Sequence, residues 1–226
     1  MEFDYKEWES TYYGIVDERF AIETDLFKLH IYRKDGIVKM EDNSSEGVLD
    51  IFIPQEWDMN TYSRQDKLRK FMQNGIEKQA QRIYQQRTDF FALRLNIPYK
   101  VKASVTGLGH CYGKCNGIYV KFNMWTICGL PGKMIDYLVC HELGHLYKRD
   151  HFMPFWRIVD MIYLGLDSDE QCTGNVSLAL DKEFRQYHII DTIMYWSKPS
   201  FLRNWFEHGM IKKGEPLIRP CQTATK

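Results

Sequence analysis

The spacing of apolar and polar residues near the start of the chain predicts β-strands. Over residues 25–33 apolar side chains fall on every second position, which is typical of a strand with one buried face. Residues 34–36 predict a turn into a second strand at 37–40, and the apolar run 48–53 predicts a third strand. We therefore interpret residues 1–60 as an acidic, strand-rich N-terminal segment.

The pattern then changes to a helical period. From Leu68 to Phe91 apolar residues recur at steps of three and four, and Ser63 with Asp66 provides a capping signal, which together predict a long helix. The opposite side of this helix is basic, with Arg64, Lys67, Arg69, Lys70, Lys78, Arg82 and Arg87. Nucleic-acid binding is one explanation for such a face, and a solvated or internally paired surface is the other. The acidic segment 1–60 can neutralise this charge, which favours the second.

The centre of the chain mixes strand and turn signals. Residues 101–105 predict a short strand, residues 107–117 are rich in turn formers, and residues 118–123 alternate as a strand does. A strand at this point would directly precede the chemically most informative stretch. We therefore expect it to offer its edge to an extended peptide.

Composition narrows the function classes. The 226 residues have a formal net charge of zero, so the molecule as a whole has no electrostatic attraction to nucleic acid or membrane. The absence of any apolar run of about eighteen residues predicts no membrane span. The six cysteines form no small disulfide framework and the N-terminus is acidic, so we expect a cytoplasmic protein. Cys111 and Cys115 beside His110 are only a weak signal for a second metal, because no second cysteine pair follows.

The motif His141-Glu142-Leu143-Gly144-His145 carries the strongest chemical signal. On a helix, two histidines four residues apart lie on one face and can bind one cation. The apolar run that precedes the motif, after Pro131 and Gly132, predicts such a helix. Catalytic zinc takes three protein ligands and leaves one position to water, and His151 is the nearest further histidine. We therefore predict a Zn²⁺ site at His141, His145 and His151.

Glu142 follows the first ligand and can act as general base toward water at this site. The developing oxyanion would need a hydrogen-bond donor, for which His110, Tyr147 or a residue of the C-terminal segment are candidates. Asp136 and Asp150 could orient a ligand imidazole, although a helix-start carboxylate and a turn residue explain them equally well.

The run from Ile135 to Leu146, followed by Asp150-His151 and Phe155-Trp156, resembles the YgjP-like metal-dependent hydrolases, a group of zincin-type metallopeptidase domains. The resemblance implies that the three histidines bind zinc and that Glu142 is the base. It also implies an α+β fold in which N-terminal strands and a long helix support the zinc helix. The SprT-like proteases, which act on proteins associated with DNA, have a similar histidine and aromatic layout. Family members usually carry Arg-Trp-Gly-Ser where this chain has Gly-Leu-Gly-His at 107–110.

These observations predict three segments: an acidic, strand-rich N-terminal segment (1–60), a zincin-like metallohydrolase core (61–166) and a helical C-terminal extension (167–226) packed on the core. The expected function is a zinc-dependent metallohydrolase that cleaves peptide or protein substrates. Two alternatives stay open. One is hydrolysis of nucleotide phosphoanhydrides, and the other is a non-catalytic interaction protein with structural zinc.

Overall fold

The computed structural model describes residues 16–59, 62–95, 97, 99–107 and 111–187. The fold is mixed α and β, as predicted from the sequence. The strands are β1 (Ala21–Glu23), β2 (Lys28–Arg33), β3 (Lys39–Asn43), β4 (Val48–Ile53), β5 (Lys102–Thr106), β6 (Gly113–Asn116) and β7 (Tyr119–Asn123). The helices are α1 (Tyr62–Ala92), α2 (Gly132–Gly144), α3 (Met153–Leu164) and α4 (Asn175–Phe184). The chain divides into two compact units between Ile76 and Glu77, within α1.

The first unit contains a four-stranded sheet in the order β1-β2-β4-β3. The turn predicted at 34–36 leads into β3, but β2 and β3 do not pair with each other, because β4 lies between them and pairs in parallel with β2. Burial explains this order. Leu49, Ile51 and Ile53 of β4 are fully buried, whereas nearly all of β3 is polar and exposed, which suits an edge strand.

Helix α1 confirms the predicted long helix, although it begins at Tyr62, one residue before the expected cap at Ser63. Gly75, which weakens a helix by its conformational freedom, has a packing reason to be there. A Cβ at Gly75 would lie 2.5 Å from Leu49 Cδ2 and 2.7 Å from Met40 Sδ. The glycine therefore lets the helix lie close to the sheet.

Several basic side chains of α1 have partners inside the protein. Arg69 is 2% exposed and donates to Gln65, and the Lys70 ammonium lies 2.7 Å from the Asp66 carboxylate. Arg87 lies 3.3 Å from Asp136 of α2. These contacts fit the internally paired face that we favoured, with these two ion-pair partners in α1 and α2 rather than in the acidic segment.

The second unit contains a three-stranded sheet in the order β5-β7-β6. The strand that we expected to offer an edge, β7, is therefore the central strand, and that prediction is wrong. The edge is formed instead by β6, which lies in the segment interpreted as turns. On the other side, Gln81 and Gln85 of α1 exchange hydrogen bonds of 3.0–3.4 Å with the backbone of β5 and its neighbour Val101. Side chains thus cover the outer side of β5.

Within the described part of the chain, no helix combines the length and the apolar character needed to cross a membrane. The five cysteines of that part are all free: Cys111, Cys115, Cys128, Cys140 and Cys172. Residues 188–226, with His188, His208 and Cys221, lie outside the described residues.

Candidate metal centre

The motif lies on α2, as the apolar run before it predicted. Pro131 is the N-cap, and nearly every side chain of the helix is buried. Gly144 ends the helix at a point of close packing, because a Cβ there would lie 2.9 Å from Val159 and 3.0 Å from Phe155 of α3. The glycine between the two histidines therefore allows α3 to pack directly against this end of α2.

The loop after α2 places His151 beside His141 and His145, the two histidines of the motif. Helix α2 ends at Gly144, so the chain has left the helix before it reaches His151. His151 Nε2 then lies 3.0 Å from His141 Nε2, and the potential ligand atoms of His141, His145 and His151 all lie within 4.8 Å of one another. Among the described residues this is the one group of histidine, cysteine and carboxylate side chains close enough to hold a metal ion. Cys111 and Cys115 belong to no such group there, and His110 lies outside the described residues.

Two aromatic residues of α3 fix this arrangement. The Trp156 indole donates a hydrogen bond of 2.8 Å to the His151 carbonyl, which anchors the loop that carries the third histidine. The Phe155 ring lies 4.6–4.9 Å, between centroids, from all three imidazoles. The aromatic pair that follows His151 in the sequence therefore packs beneath the cluster.

Hydrogen bonds donated by the Nδ1 atoms of His141 and His145 leave their Nε2 atoms available to a cation. His145 Nδ1 lies 2.9 Å from the Lys148 carbonyl, which can only accept, so Nδ1 carries the proton. His141 Nδ1 lies 3.2 Å from the Tyr137 hydroxyl, which itself donates to Asp181 at 2.8 Å. These outer contacts are typical of metal-binding histidines, and the imidazole cluster fits a metal ion that prefers nitrogen ligands.

Tyr137 and Asp181 were not predicted from the sequence as partners of a ligand. Tyr137 lies one helical turn before His141, a spacing that could have suggested the contact, but no local signal connects Asp181 with the motif. The carboxylates that we did consider lie elsewhere. Asp136 pairs with Arg87, and Asp150 is exposed.

Burial shifts the protonation of the site toward neutral groups. Burial, together with the neighbouring His145 and His151, lowers the pKa of His141 to about 3, and burial also lowers the pKa of His145. Burial raises the pKa of Glu142 to about 8. Both imidazoles are therefore neutral at physiological pH, the form that binds metals, and Glu142 in the metal-free protein keeps its proton to a higher pH than an ordinary carboxyl group does.

The raised pKa of Glu142 predicts a pH-dependent stability of the metal-free protein. The stabilising protonated form is fully present below the ordinary carboxyl pKa of 4.5 and is lost as pH rises through about 8. Glu142→Gln removes this loss. In chelator we expect its free energy of unfolding to exceed that of the wild type by about 4 to 5 kcal/mol at pH 8.5 and by little at pH 4.5. Urea titrations at both pH values test this, and a difference independent of pH would contradict it.

The histidine cluster opens onto a cavity of about 500 Å³ in the second unit. The residues that line it are Tyr112, Gly113, Tyr137, Leu138, His141, Glu142, His151, Asp181, Phe184 and Arg185. Tyr147, a candidate oxyanion donor, lines another cavity, and its hydroxyl donates to the Leu95 carbonyl at 2.9 Å. The candidate from the C-terminal segment is Arg185, the one Lys or Arg side chain among the described residues that lines the cavity.

Strand β6 runs directly past the Glu142 carboxylate. A Cβ on Gly113 would lie 2.5 Å from Glu142 Oε1 and 2.8 Å from its Cδ. The position therefore requires a residue without a side chain if Glu142 is to keep its place.

Gly113→Ala should displace the Glu142 carboxylate without touching the histidines. Since a misplacement of about 1 Å can reduce a rate by about 100-fold, we expect hydrolysis to fall by about 10- to 100-fold while metal affinity is unchanged. Rates and metal titrations of the purified variant check this. The matched control is Gly107→Ala, whose Cβ would meet nothing closer than 3.8 Å. Equal rates for Gly113→Ala and the wild type would contradict the prediction.

A comparison with protein-family models matches residues 23–169 to the YgjP-like metallopeptidase domain. The chain belongs to the YgjP-like family. This confirms the family inferred from the motif block, and the match extends far toward the N-terminus from the residues between Ile135 and Trp156 that carry the resemblance. Membership in a metallopeptidase family implies a metal-dependent hydrolase, and the histidine cluster is where this YgjP-like domain can hold the metal. Neither a curated protein nor a solved structure matches the chain.

Proposed function

We propose that this YgjP-like protein is a zinc-dependent peptidase of the zincin type, with His141, His145 and His151 as the metal ligands. One observation carries the proposal: a buried carboxylate lines one open cavity together with His141 and His151, two of the three clustered imidazoles. A structural zinc site is typically closed by four protein ligands, whereas a catalytic site has three and leaves one position open. The described cluster has three, which argues against the purely structural alternative.

Zinc, when bound, polarises a substrate carbonyl and lowers the pKa of water to about 7. Glu142 is placed to accept the proton of the attacking water at its carboxylate and to deliver it to the leaving nitrogen. No residue of the described chain donates a hydrogen bond to this carboxylate, so its oxygens are available to accept a proton from water. Arg185 is the candidate that would stabilise negative charge on the substrate oxygen.

The lining of the cavity favours peptides over nucleotides. The outer side of β5 is covered by glutamine side chains, whereas no strand among the described residues pairs with the outer side of β6. An extended peptide could pair with β6, which would bring it alongside Glu142. Hydrolysis of phosphoanhydrides would instead require several cations around the phosphates, yet none of the basic residues of α1 lines this cavity.

The cysteine pattern of the sequence remains the reason to expect a cytoplasmic location for this protein.

The proposal is tested by incubating zinc-loaded protein with casein and, separately, with a nucleoside triphosphate. We expect new peptide N-termini from casein, their loss in chelator and their return with added zinc, and no phosphate release. Phosphate release without peptide cleavage would favour the nucleotide alternative. If neither substrate is turned over, the proposed peptidase function is wrong.

A further inference from the structure

A chain of two hydrogen bonds joins α4 to the first histidine of the motif. The Tyr137 hydroxyl donates to Asp181 Oδ1 at 2.8 Å and lies 3.2 Å from His141 Nδ1. A hydroxyl has one proton, and Tyr137 gives that proton to Asp181. The second contact therefore requires Nδ1–H of His141 to donate to the Tyr137 oxygen, which leaves the Nε2 lone pair directed toward His151.

The position of Asp181 is fixed by the same helix that anchors His151. Asp160 of α3, 1% exposed, accepts hydrogen bonds of 2.7 Å from the Gly174 amide and 2.6 Å from the Ser177 amide at the start of α4. The Ser177 hydroxyl donates to the carbonyl of Trp156, whose indole holds the His151 loop. Helix α4 is therefore connected to the histidine cluster at two points: at its first turn, through α3, and at Asp181, through Tyr137.

A second contact holds the carboxylate from the opposite side. Arg185 Nε donates to Asp181 Oδ2 at 2.6 Å, so each Asp181 oxygen has a different partner. The Tyr137 ring is 1% exposed, and the Phe184 ring packs against it at 5.6 Å. The Asp181 carboxylate, the Tyr137 phenol and the His141 imidazole are therefore held in place by packing and hydrogen bonds, unlike side chains that meet only at the surface.

We propose that Asp181 is a positioning residue of the metal centre, which acts through Tyr137 to fix the orientation and tautomer of His141. The inference rests on the metal of the proposed function. It assigns a role to residues 175–187, which lie beyond the segment matched by the family model at 23–169. The proposed positioning residue therefore lies on a helix that follows the matched segment.

The test measures zinc affinity by competition with a chromogenic chelator and the visible absorption of the cobalt-substituted protein. The variants are Asp181→Ala, Tyr137→Phe and the double variant, with Glu183→Gln as the control on the same helix. Glu183 pairs with Lys133 and does not line the cavity. Circular dichroism of each metal-free variant shows whether α4 and the rest of the fold are retained.

Loss of an outer partner of a metal-bound histidine typically reduces affinity by about 10- to 100-fold. We expect a reduction of that size for each single variant, an altered cobalt spectrum, and no further loss in the double variant, because the two residues act in series. Glu183→Gln should match the wild type in affinity and spectrum.

Three results would overturn the inference: wild-type affinity in both single variants, additive losses in the double variant, or an equal loss in Glu183→Gln. Additive losses would mean that Asp181 and Tyr137 act independently, and an equal loss in Glu183→Gln would mean that Asp181 only stabilises α4. These outcomes differ from a failure of the proposed function. A protein that binds zinc, responds to the substitutions as expected and cleaves no peptide refutes the peptidase activity alone, whereas a wild type without zinc affinity refutes both proposals.

Discussion

Glu142→Gln should reduce peptide hydrolysis by about 10²- to 10⁴-fold while zinc stays bound, because general acid–base catalysis contributes an effect of that size. Glutamine has nearly the shape of glutamate but cannot take up a proton. Glu142 is 5% exposed, so the amide should occupy the same space beside Gly113. The carboxylate is not one of the three clustered ligand groups, and its replacement should therefore leave the metal in place.

Rates of casein cleavage and the zinc content after dialysis, measured on the same sample, check this expectation. Glu77→Gln is the control, since Glu77 is exposed on α1. An unchanged rate in Glu142→Gln would remove the proposed base. Loss of zinc from that variant would mean that the carboxylate binds the metal.

His151→Ala should weaken zinc binding by more than about 100-fold, since the loss of an outer-shell partner alone costs about 10- to 100-fold. The substitution removes a nitrogen that lies 3.0 Å from His141 Nε2. It leaves the backbone carbonyl that Trp156 holds, so the loop should keep its anchor. Chelator competition measures the affinity, and hydrolysis should disappear at limiting zinc.

His30→Ala is the control for His151→Ala. His30 lies in the first unit, 3.2 Å from Asp50 and 3.6 Å from Glu23, away from the motif in the sequence and absent from the histidine cluster. Equal zinc affinity in His151→Ala and the wild type would exclude His151 as a ligand. An equal loss in both variants would point to an effect on folding.

Local sequence patterns predicted the elements that local physics determines. The apolar period of α1 and α2, the alternation in β4 and the spacing of His141 and His145 each depend on residues a few positions apart. His151 could be predicted as the third ligand because a separation of ten residues is long enough for a loop to bring it back to His141. The helix that follows it, Met153–Leu164, has local signals at both ends: Pro154 in its first turn and Gly165 as a left-handed cap.

Contacts between distant residues could not be predicted in this way. The insertion of β4 between β2 and β3 depends on which strand best fills the centre of the sheet, which the turn at 34–36 does not reveal. Strand β6 was hidden because its glycine and cysteine suggest turns, while its strand character comes from pairing with β7. Asp181 is 40 residues after His141, and only the packing of α4 brings it to the site.

The glutamines that cover β5 have a consequence for how the protein behaves in solution. Exposed strand edges are where sheets of different molecules join, and this sheet has one of its two edges already shielded. Self-association by strand pairing in the second unit would therefore start at β6, the same strand that we propose receives substrate. A peptide inhibitor that binds along β6 should consequently also slow aggregation of the protein at high concentration, a property that light scattering can follow.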